Sequence, residues 1–277
     1  MAMARRKLVL YLVVWSVLCS TEPASAALSE KNHCLDCHPP HLTRSLNCAP
    51  CHAGNPRTGR QAIAHHQLIP ARLAYFTEPD HPVVVRGGQL LQQLGCRRCH
   101  LIGGQGSRLA TDLDHLPQRV TAVDLEQALV RPALYMPQFP LTKTDLAALV
   151  NMLLAERTKA PLVASQPPRT VHFTPRGALS PRVFTTKCGG CHQLLSVPWG
   201  VLGQGRTAPN LSGLLTPFYP TPLREQEFWT TVNLKNWLDT PRKFRPTAKM
   251  PPRPLTAEDE LKLQQELAVP IEPAVFK

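Results

Sequence analysis

Several features are scarce in this 277-residue chain, and each scarcity removes a class of protein. Beyond the apolar stretch that begins at Leu8, no segment is long and apolar enough to span a bilayer, which takes about 20 residues. No basic run is interleaved with aromatic residues, so nucleic-acid binding has little support. Strand-like alternation is also rare, and 29 prolines favour loops and extended linkers between short helices. A loop-rich, mainly α protein remains.

Cysteine outside one motif is almost absent. Eight of the nine cysteines lie in four copies of Cys-x-x-Cys-His, and only Cys19 stands apart. The motifs consist of Cys34, Cys37 and His38; Cys48, Cys51 and His52; Cys96, Cys99 and His100; and Cys188, Cys191 and His192. Two thiols at this spacing can bond to the vinyl groups of a haem while the adjacent imidazole binds its iron. The pattern predicts four covalently attached haem c groups.

Zinc sites and disulfides would use the same cysteines. Cys34, Cys37, Cys48 and Cys51 could form a four-thiolate zinc site, and an exported chain could oxidise its cysteine pairs. Neither alternative explains why histidine follows every pair. Histidine makes up 11 of 277 residues, so four such placements by chance have odds of about one in a few hundred thousand. We therefore favour haem.

The start of the chain, residues 1–26, has the pattern of a secretory signal peptide. Basic residues 5–7 precede the apolar stretch, and the small residues 24–26 follow it. About a dozen apolar residues are too few for an uncleaved anchor. Lipid modification of Cys19 is disfavoured because Leu18 is larger than the residue usually found before such a cysteine. We expect cleavage near Ala26 and a periplasmic protein, soluble or loosely held at a membrane surface.

The formal charge of +12 needs correction before it indicates a partner. Removal of the signal peptide leaves +10, and four haems would add about eight propionate charges, partly offset by ferric iron. The loaded protein is then only mildly basic. This balance favours redox proteins with acidic surfaces, or anionic lipid headgroups, as partners.

Residues 27–82 contain the first two motifs, close together and with almost no helical periodicity. No methionine occurs between Met3 and Met136, so a second histidine is expected for each of these irons. The stretch CHPPHLTRSLNCAPCH resembles the doubled motif of multihaem cytochromes, in which a histidine shortly after one attachment site is a second iron ligand. His41 matches that position. The best candidate for the other iron is His65, with His66 a close competitor.

Residues 83–158 resemble a class I cytochrome c. An amphipathic lead-in from Gly87 to Leu94 precedes CRRCH, and RPALYMPQFPLT precedes a terminal helix. Thr142 and Asp145 predict a capping box at its start. Helical spacing is shown by Leu146, Leu149, Val150, Leu153 and Leu154. We expect this helix to pack on the first helix and on the haem edge, with Met152 as a core residue and not a ligand.

Residues 176–277 repeat this plan and also resemble a class I cytochrome c. RPALYMPQFPLTKTD, which begins at Arg131, recurs as RPTAKMPPRPLTAED from Arg245. The chain from His192 to Met250 is longer than the chain from His100 to Met136, so the second copy has an insertion in the loop around its haem. The proline-rich residues 159–175 between the copies predict a semi-extended linker.

Met136 and Met250 each precede a proline at corresponding points of the repeat. The resemblance implies that both are sixth iron ligands, and that the Pro209 carbonyl orients the His192 imidazole. A thioether ligand gives a haem a higher potential than a second imidazole does. Trp237 resembles the family's aromatic residue near a haem propionate. The first copy has Thr111 in place of the proline and no matching tryptophan.

Together these features resemble a tetrahaem c-type cytochrome, with a dihaem segment followed by two class I domains. Fully ligated irons leave no open position, so the sequence predicts an electron-transfer protein and not an enzyme. Electrons would pass from low-potential bis-histidine haems to higher-potential His/Met haems in a respiratory chain, between a quinol-oxidising membrane complex and a reductase or another cytochrome. The alternatives are a multihaem reductase or peroxidase with one open iron, and a fixed subunit of a membrane oxidoreductase.

Overall fold

The computed structural model describes residues 31–41, 46–117, 119–133, 135–159, 182–221 and 228–269. The expected signal peptide, and the expected linker beyond Lys159, lie outside the described residues. Helices dominate and strands are few, which confirms the mainly α class. Within the described ranges, no helix combines the length and the apolar character needed to cross a membrane.

The described part of the chain contains eight α-helices and four short strands. The helices are α1 (Ala49–His52), α2 (Gln61–Ala64), α3 (Pro82–Gln93), α4 (Ala122–Val130), α5 (Lys143–Lys159), α6 (Thr231–Asp239), α7 (Pro241–Phe244) and α8 (Ala257–Leu267). Strands β1 (Leu101–Ile102) and β2 (Gln105–Gly106) form one antiparallel pair, and β3 (Leu194–Ser196) and β4 (Gly200–Leu202) form another. Single turns of 3-10 helix occur at His33–Asp36, Ala71–Leu73, Tyr75–Thr77 and Cys96–Arg98, and Phe184–Cys188 is a π-helical turn.

The N-terminal segment consists of isolated helical turns, as its lack of periodicity predicts. Its α1 and α2 bury no residue. Its buried apolar residues are Leu73, Ala74 and Phe76, and Leu73 and Phe76 belong to the hydrophobic cluster of α3, α4 and α5. The end of the segment therefore folds as part of the next domain.

In the first repeat copy, α3 begins at Pro82, before the expected start at Gly87. The His81 side chain accepts a hydrogen bond from the Val83 amide at 3.2 Å, and a proline at the first helical position has the required φ without donating a bond. Gly87 lies where α3 crosses α5, and a Cβ there would be 2.1 Å from the Ala148 carbonyl oxygen. The predicted packing of first and last helix is thus confirmed.

The predicted capping box of α5 is also confirmed. The Thr142 hydroxyl accepts from the Asp145 amide at 3.1 Å, and the Asp145 carboxylate accepts from the Thr142 amide at 3.4 Å. The apolar face that follows is buried, and Met152 packs against the same cluster.

The second copy has the same plan with a longer loop. Thr121 caps α4 and Thr230 caps α6. The chain from His192 to Thr230 is much longer than the chain from His100 to Thr121. Most of the insertion therefore precedes α6, and the short α7 contains most of the rest. The buried core of this copy gathers residues from the π-helical turn, β3, β4, α6 and α8.

Candidate haem centres

All four Cys-x-x-Cys-His motifs adopt the same backbone turn. In each, the histidine amide donates to the carbonyl of the first cysteine, at 3.0 Å for His38, His52 and His192 and at 3.1 Å for His100. A helical turn places residues at spacings of three and four on one face. Each motif therefore presents two thiols and an imidazole on one side, with all eight cysteines unpaired.

Three of the four motif histidines are oriented by a backbone carbonyl. The Nδ1 atom of His192 lies 2.7 Å from the Pro209 carbonyl oxygen, and that of His100 lies 2.7 Å from the Thr111 carbonyl oxygen. In His52, Nδ1 lies 3.2 Å from the carbonyl oxygen of Ile69. An imidazole that donates from Nδ1 keeps the Nε2 lone pair free for a metal.

The threonine in the first repeat copy therefore replaces the proline without loss of this contact, because the acceptor is a main-chain oxygen. Burial lowers the pKa of His100, although the hydrogen bond to Thr111 opposes that shift. The imidazole is thus neutral near pH 7, which is the state that binds a metal.

Four histidines of the N-terminal segment form two close pairs, one with tilted rings and one with an edge-on contact. The ring centroids of His38 and His65 are 6.1 Å apart, and those of His41 and His52 are 5.6 Å apart. Two imidazoles on opposite sides of one metal ion, each with a nitrogen about 2 Å from it, have centroids roughly 6 Å apart. His66, the competitor of His65, instead lines a small surface cavity beside Ile63 and Gln67.

The second copy contains a cavity of about 1070 Å³. Cys188, Cys191 and His192 line it together with Met250. Its walls are largely apolar and include Phe184, Leu211, Leu214, Leu234, Leu238 and Leu263. Burial raises the pKa of Cys188 to about 11, so this thiol stays protonated at neutral pH. The volume is just above the range of about 300–1,000 Å³ that is typical of small-molecule and cofactor pockets.

Trp237 also lines this cavity, where its indole Nε1 donates to the Met250 Sδ at 3.2 Å. The family resemblance suggests a propionate as the partner of this residue. In the structure the indole holds the methionine sulphur at the cavity wall, and Trp229 packs edge-on against the same ring, with centroids 5.8 Å apart. The sulphur and the His192 imidazole thus border one apolar space.

The first copy has a less open arrangement. Met136 is half-buried and packs against the cluster of α3, α4 and α5, with its amide donating to the Ala133 carbonyl at 3.1 Å. Burial raises the pKa of Cys96 to about 11, as it does for Cys188. Both cysteines of this motif are half-buried.

Two polar residues near these centres were missed by sequence reasoning. Asn151 on α5 is fully buried, and its side chain bonds to the Tyr75 amide at 2.7 Å and the Arg72 carbonyl at 2.9 Å. A polar residue within an apolar helical face was the available signal. Asn210 bonds to the Tyr135 carbonyl at 2.9 Å, far away in the sequence, and no local pattern indicates that pairing.

The comparisons add no relative, because no family model, no curated protein and no solved structure matches the chain. Among the described residues, no group of three or more His, Cys, Asp or Glu side chains could hold a metal ion by itself.

The thiols of Cys34 and Cys48 are neighbours, and burial together with this proximity raises the pKa of Cys34.

Proposed function

We propose that the protein is a periplasmic tetrahaem electron-transfer cytochrome. The observation that carries the proposal is the cavity of the second repeat copy, where two attachment thiols, an oriented imidazole and a thioether border one apolar space. These residues fit a covalently held haem by donor type, by volume and by the apolar character of the walls. Each haem supplies a reversible one-electron change at its iron, at a potential that the axial ligands help to set.

In the second copy, Cys188 and Cys191 would hold the haem covalently, and His192 and Met250 would bind its iron. The Pro209 carbonyl holds the imidazole with Nε2 free, and Trp237 holds the thioether sulphur. In the first copy, Cys96 and Cys99 would attach the cofactor, and His100 and Met136 would bind its iron. The Thr111 carbonyl serves as the orienting acceptor there.

In the N-terminal segment, the ring distances favour bis-histidine ligation and indicate the pairing. His65 would complete the site of His38, and His41 would complete the site of His52. Ligation by His65 is favoured over His66 because the His65 ring lies close to that of His38, with the centroids 6.1 Å apart. Attachment would be through Cys34 and Cys37 in one site and Cys48 and Cys51 in the other.

The dihaem segment is joined to the first class I-like domain through the residues that follow His52. Ile69 accepts the bond from the His52 ring, and Leu73 and Phe76 enter the core of the domain a few residues later. Arg72 forms a two-pronged ion pair with Glu126 on α4 at 2.5 and 2.8 Å. This junction supports the proposal that electrons pass from the low-potential pair to the His100 site.

A cationic surface surrounds the cavity of the second copy. Lys187, Arg245, Lys249 and Arg253 are exposed and line the cavity, and no described lining residue is acidic. A partner with an acidic surface would be steered toward this site by the local field, more strongly at low salt. We therefore propose a redox protein as the partner of this domain, with a quinol-oxidising membrane complex or another cytochrome as the donor.

Two measurements on the exported protein test the proposal. Mass spectrometry should find four haem units and no free thiol. Low-temperature electron paramagnetic resonance of the oxidised protein should then show two bis-histidine and two His/Met low-spin signals. A stoichiometric high-spin signal would instead indicate an open iron and favour the reductase or peroxidase alternative, and bound zinc in place of haem would overturn the proposal.

A further inference from the structure

The two class I-like domains contact each other through the loops that contain their candidate ligands. The side chain of Asn210 donates from Nδ2 to the Tyr135 carbonyl at 2.9 Å. The Tyr135 hydroxyl donates to the Gly203 carbonyl of the second copy. Two hydrogen bonds of opposite direction therefore join Tyr135 to the second domain.

Arg98 adds a charged contact to the same point. Its guanidinium donates to the Asn210 carbonyl at 3.3 Å and lies 5.1 Å from the centroid of the Tyr219 ring. The Tyr219 hydroxyl donates to the same carbonyl at 2.8 Å. Arg98 is only 9% exposed, so this contact is shielded from water. Asn210 is thus held through both its side chain and its main chain.

Three residues of this contact, Tyr135, Asn210 and Arg98, are each directly next to a candidate haem contact in the sequence. Tyr135 precedes Met136, and Asn210 follows Pro209, whose carbonyl orients His192. Arg98 lies between the cysteines of the third motif. A shift of one domain against the other would therefore displace a ligand loop of each site.

We propose that Asn210 is a positioning residue that holds the two His/Met sites in one fixed arrangement, with Arg98 and Tyr135 as its partners across the contact. This inference depends on the proposed function. A fixed arrangement keeps the separation of the two sites constant and allows direct electron exchange between them. The order of transfer is then the dihaem segment, the Met136 site and the Met250 site.

The side chain of Asn210 has a second contact, which allows a selective test. Its Oδ1 accepts from the Ser212 amide at 2.9 Å and shapes the loop locally. Asn210→Asp keeps this acceptor but removes the N–H that bonds to Tyr135. The first copy has aspartate at the matching position, where Asp112 accepts from the Asp114 amide at 2.9 Å. Aspartate is therefore compatible with the loop itself.

The experiment compares Asn210→Asp with the reciprocal control Asp112→Asn in the haem-loaded full chain. The first readout is hydrogen exchange of the amides around Tyr135 and Asn210, which reports the contact without reference to activity. The second is the rate of intramolecular electron transfer after rapid photoreduction. The ferric sulphur-to-iron band of each variant checks that both methionines still bind.

For Asn210→Asp we expect about tenfold faster exchange at the contact, as for the loss of one buried hydrogen bond. Transfer between the two His/Met sites should slow by a similar factor, about tenfold, with the sulphur-to-iron band unchanged. Asp112→Asn should alter neither. Tyr135→Phe, which keeps the ring and removes only the bond to Gly203, should give a smaller change in the same direction.

Two results would overturn the inference separately from the proposed function. With four haems present, an unchanged transfer rate in Asn210→Asp would show that the contact has no positioning role, even if exchange became faster. An equal effect of Asp112→Asn would show that any change of charge in these loops is sufficient to alter hydrogen exchange and electron transfer. A chain without haem would remove the proposed function, and the inference with it.

Discussion

Between residues 31 and 70, none of the described residues is buried, whereas α5 alone buries eight residues against α3 and α4. The N-terminal segment is held by single turns, hydrogen bonds and close histidine pairs, and the repeat domains are held by apolar packing. A chain without an apolar core needs another source of burial to remain folded. Two haems would supply it in the N-terminal segment, while in the repeat domains haems would complete a core that the polypeptide already begins.

The most severe test of this contrast removes one cofactor from each region. In Cys34→Ala/Cys37→Ala, we expect intact mass to fall from four haems to three and residues 31–70 to exchange at rates close to those of an unfolded chain. In Cys96→Ala/Cys99→Ala, the intact mass should also fall to three haems. The amides of α3 and α5 should nevertheless stay protected from hydrogen exchange, because the apolar contacts of these helices remain. Equal loss of protection in the two variants, measured by hydrogen exchange, would contradict the comparison.

Ligand exchange should distinguish the regions by potential. Met250→His should lower one high-potential wave by roughly 0.1–0.3 V, a fraction of the ~0.8 V range available to axial ligation. The sulphur-to-iron band of the ferric spectrum should weaken with it. His41→Met should raise one low-potential wave, and a redox titration with optical detection checks both. Four haems that titrate together in the unsubstituted protein would count against two ligation types.

The helix crossing gives a matched pair of glycine substitutions. Gly87→Ala would place a Cβ 2.1 Å from the Ala148 carbonyl oxygen, so α3 and α5 must separate at a cost of about 2–4 kcal/mol. At Gly88 the nearest atom would be the Met152 Sδ at 3.7 Å, so Gly88→Ala should stabilise the helix by about 0.5–1 kcal/mol. Denaturant unfolding measures both. Similar effects of the two substitutions would show that the crossing is not tight.

The repeat copies differ in the contact between their first and last helices. This difference predicts a smaller change in the free energy of unfolding than Gly87→Ala does. Glu266 is buried in α8, and its carboxylate accepts from the Val183 and Phe184 amides at 3.1 and 2.7 Å. Met152 has the matching position in the first copy. Glu266→Met should cost about 2–3 kcal/mol because it leaves two buried amides unpaired, and Glu266→Gln about 1 kcal/mol, since one acceptor remains. Thermal unfolding of the variants should rank them in this order.

The sequence indicates these features to unequal degrees. Helix α5 was predictable because its capping residues and its apolar period lie within one short segment. The start of α3 was not, because His81 and Pro82 supply the cap outside the periodic stretch. The contact of the Thr111 carbonyl with His100 was not predicted, because threonine in place of the proline at Pro209 suggested that the contact is lost. The contact uses only a main-chain oxygen, which both residues have. Contacts such as Asn210 with Tyr135 depend on tertiary packing, and no local propensity specifies them.

The smallest expected effect concerns the start of α5 under acid. The hydrogen bond from the Thr142 hydroxyl, together with Arg86 on α3, holds the pKa of Asp145 below its usual value. Because the folded pKa is depressed, this carboxylate contributes stability above the ordinary pKa of an aspartate, about 4, and the contribution is lost as the pH falls through the folded value. Urea unfolding between neutral pH and pH ~2 should show that Asp145→Asn is less stable at neutral pH, with a gap to the unsubstituted protein that closes on acidification. Arg86→Gln should remove only part of the gap, since the Thr142 hydroxyl still binds the carboxylate. A gap that stays constant with pH would mean that Asp145 acts only by capping the helix and not through its charge.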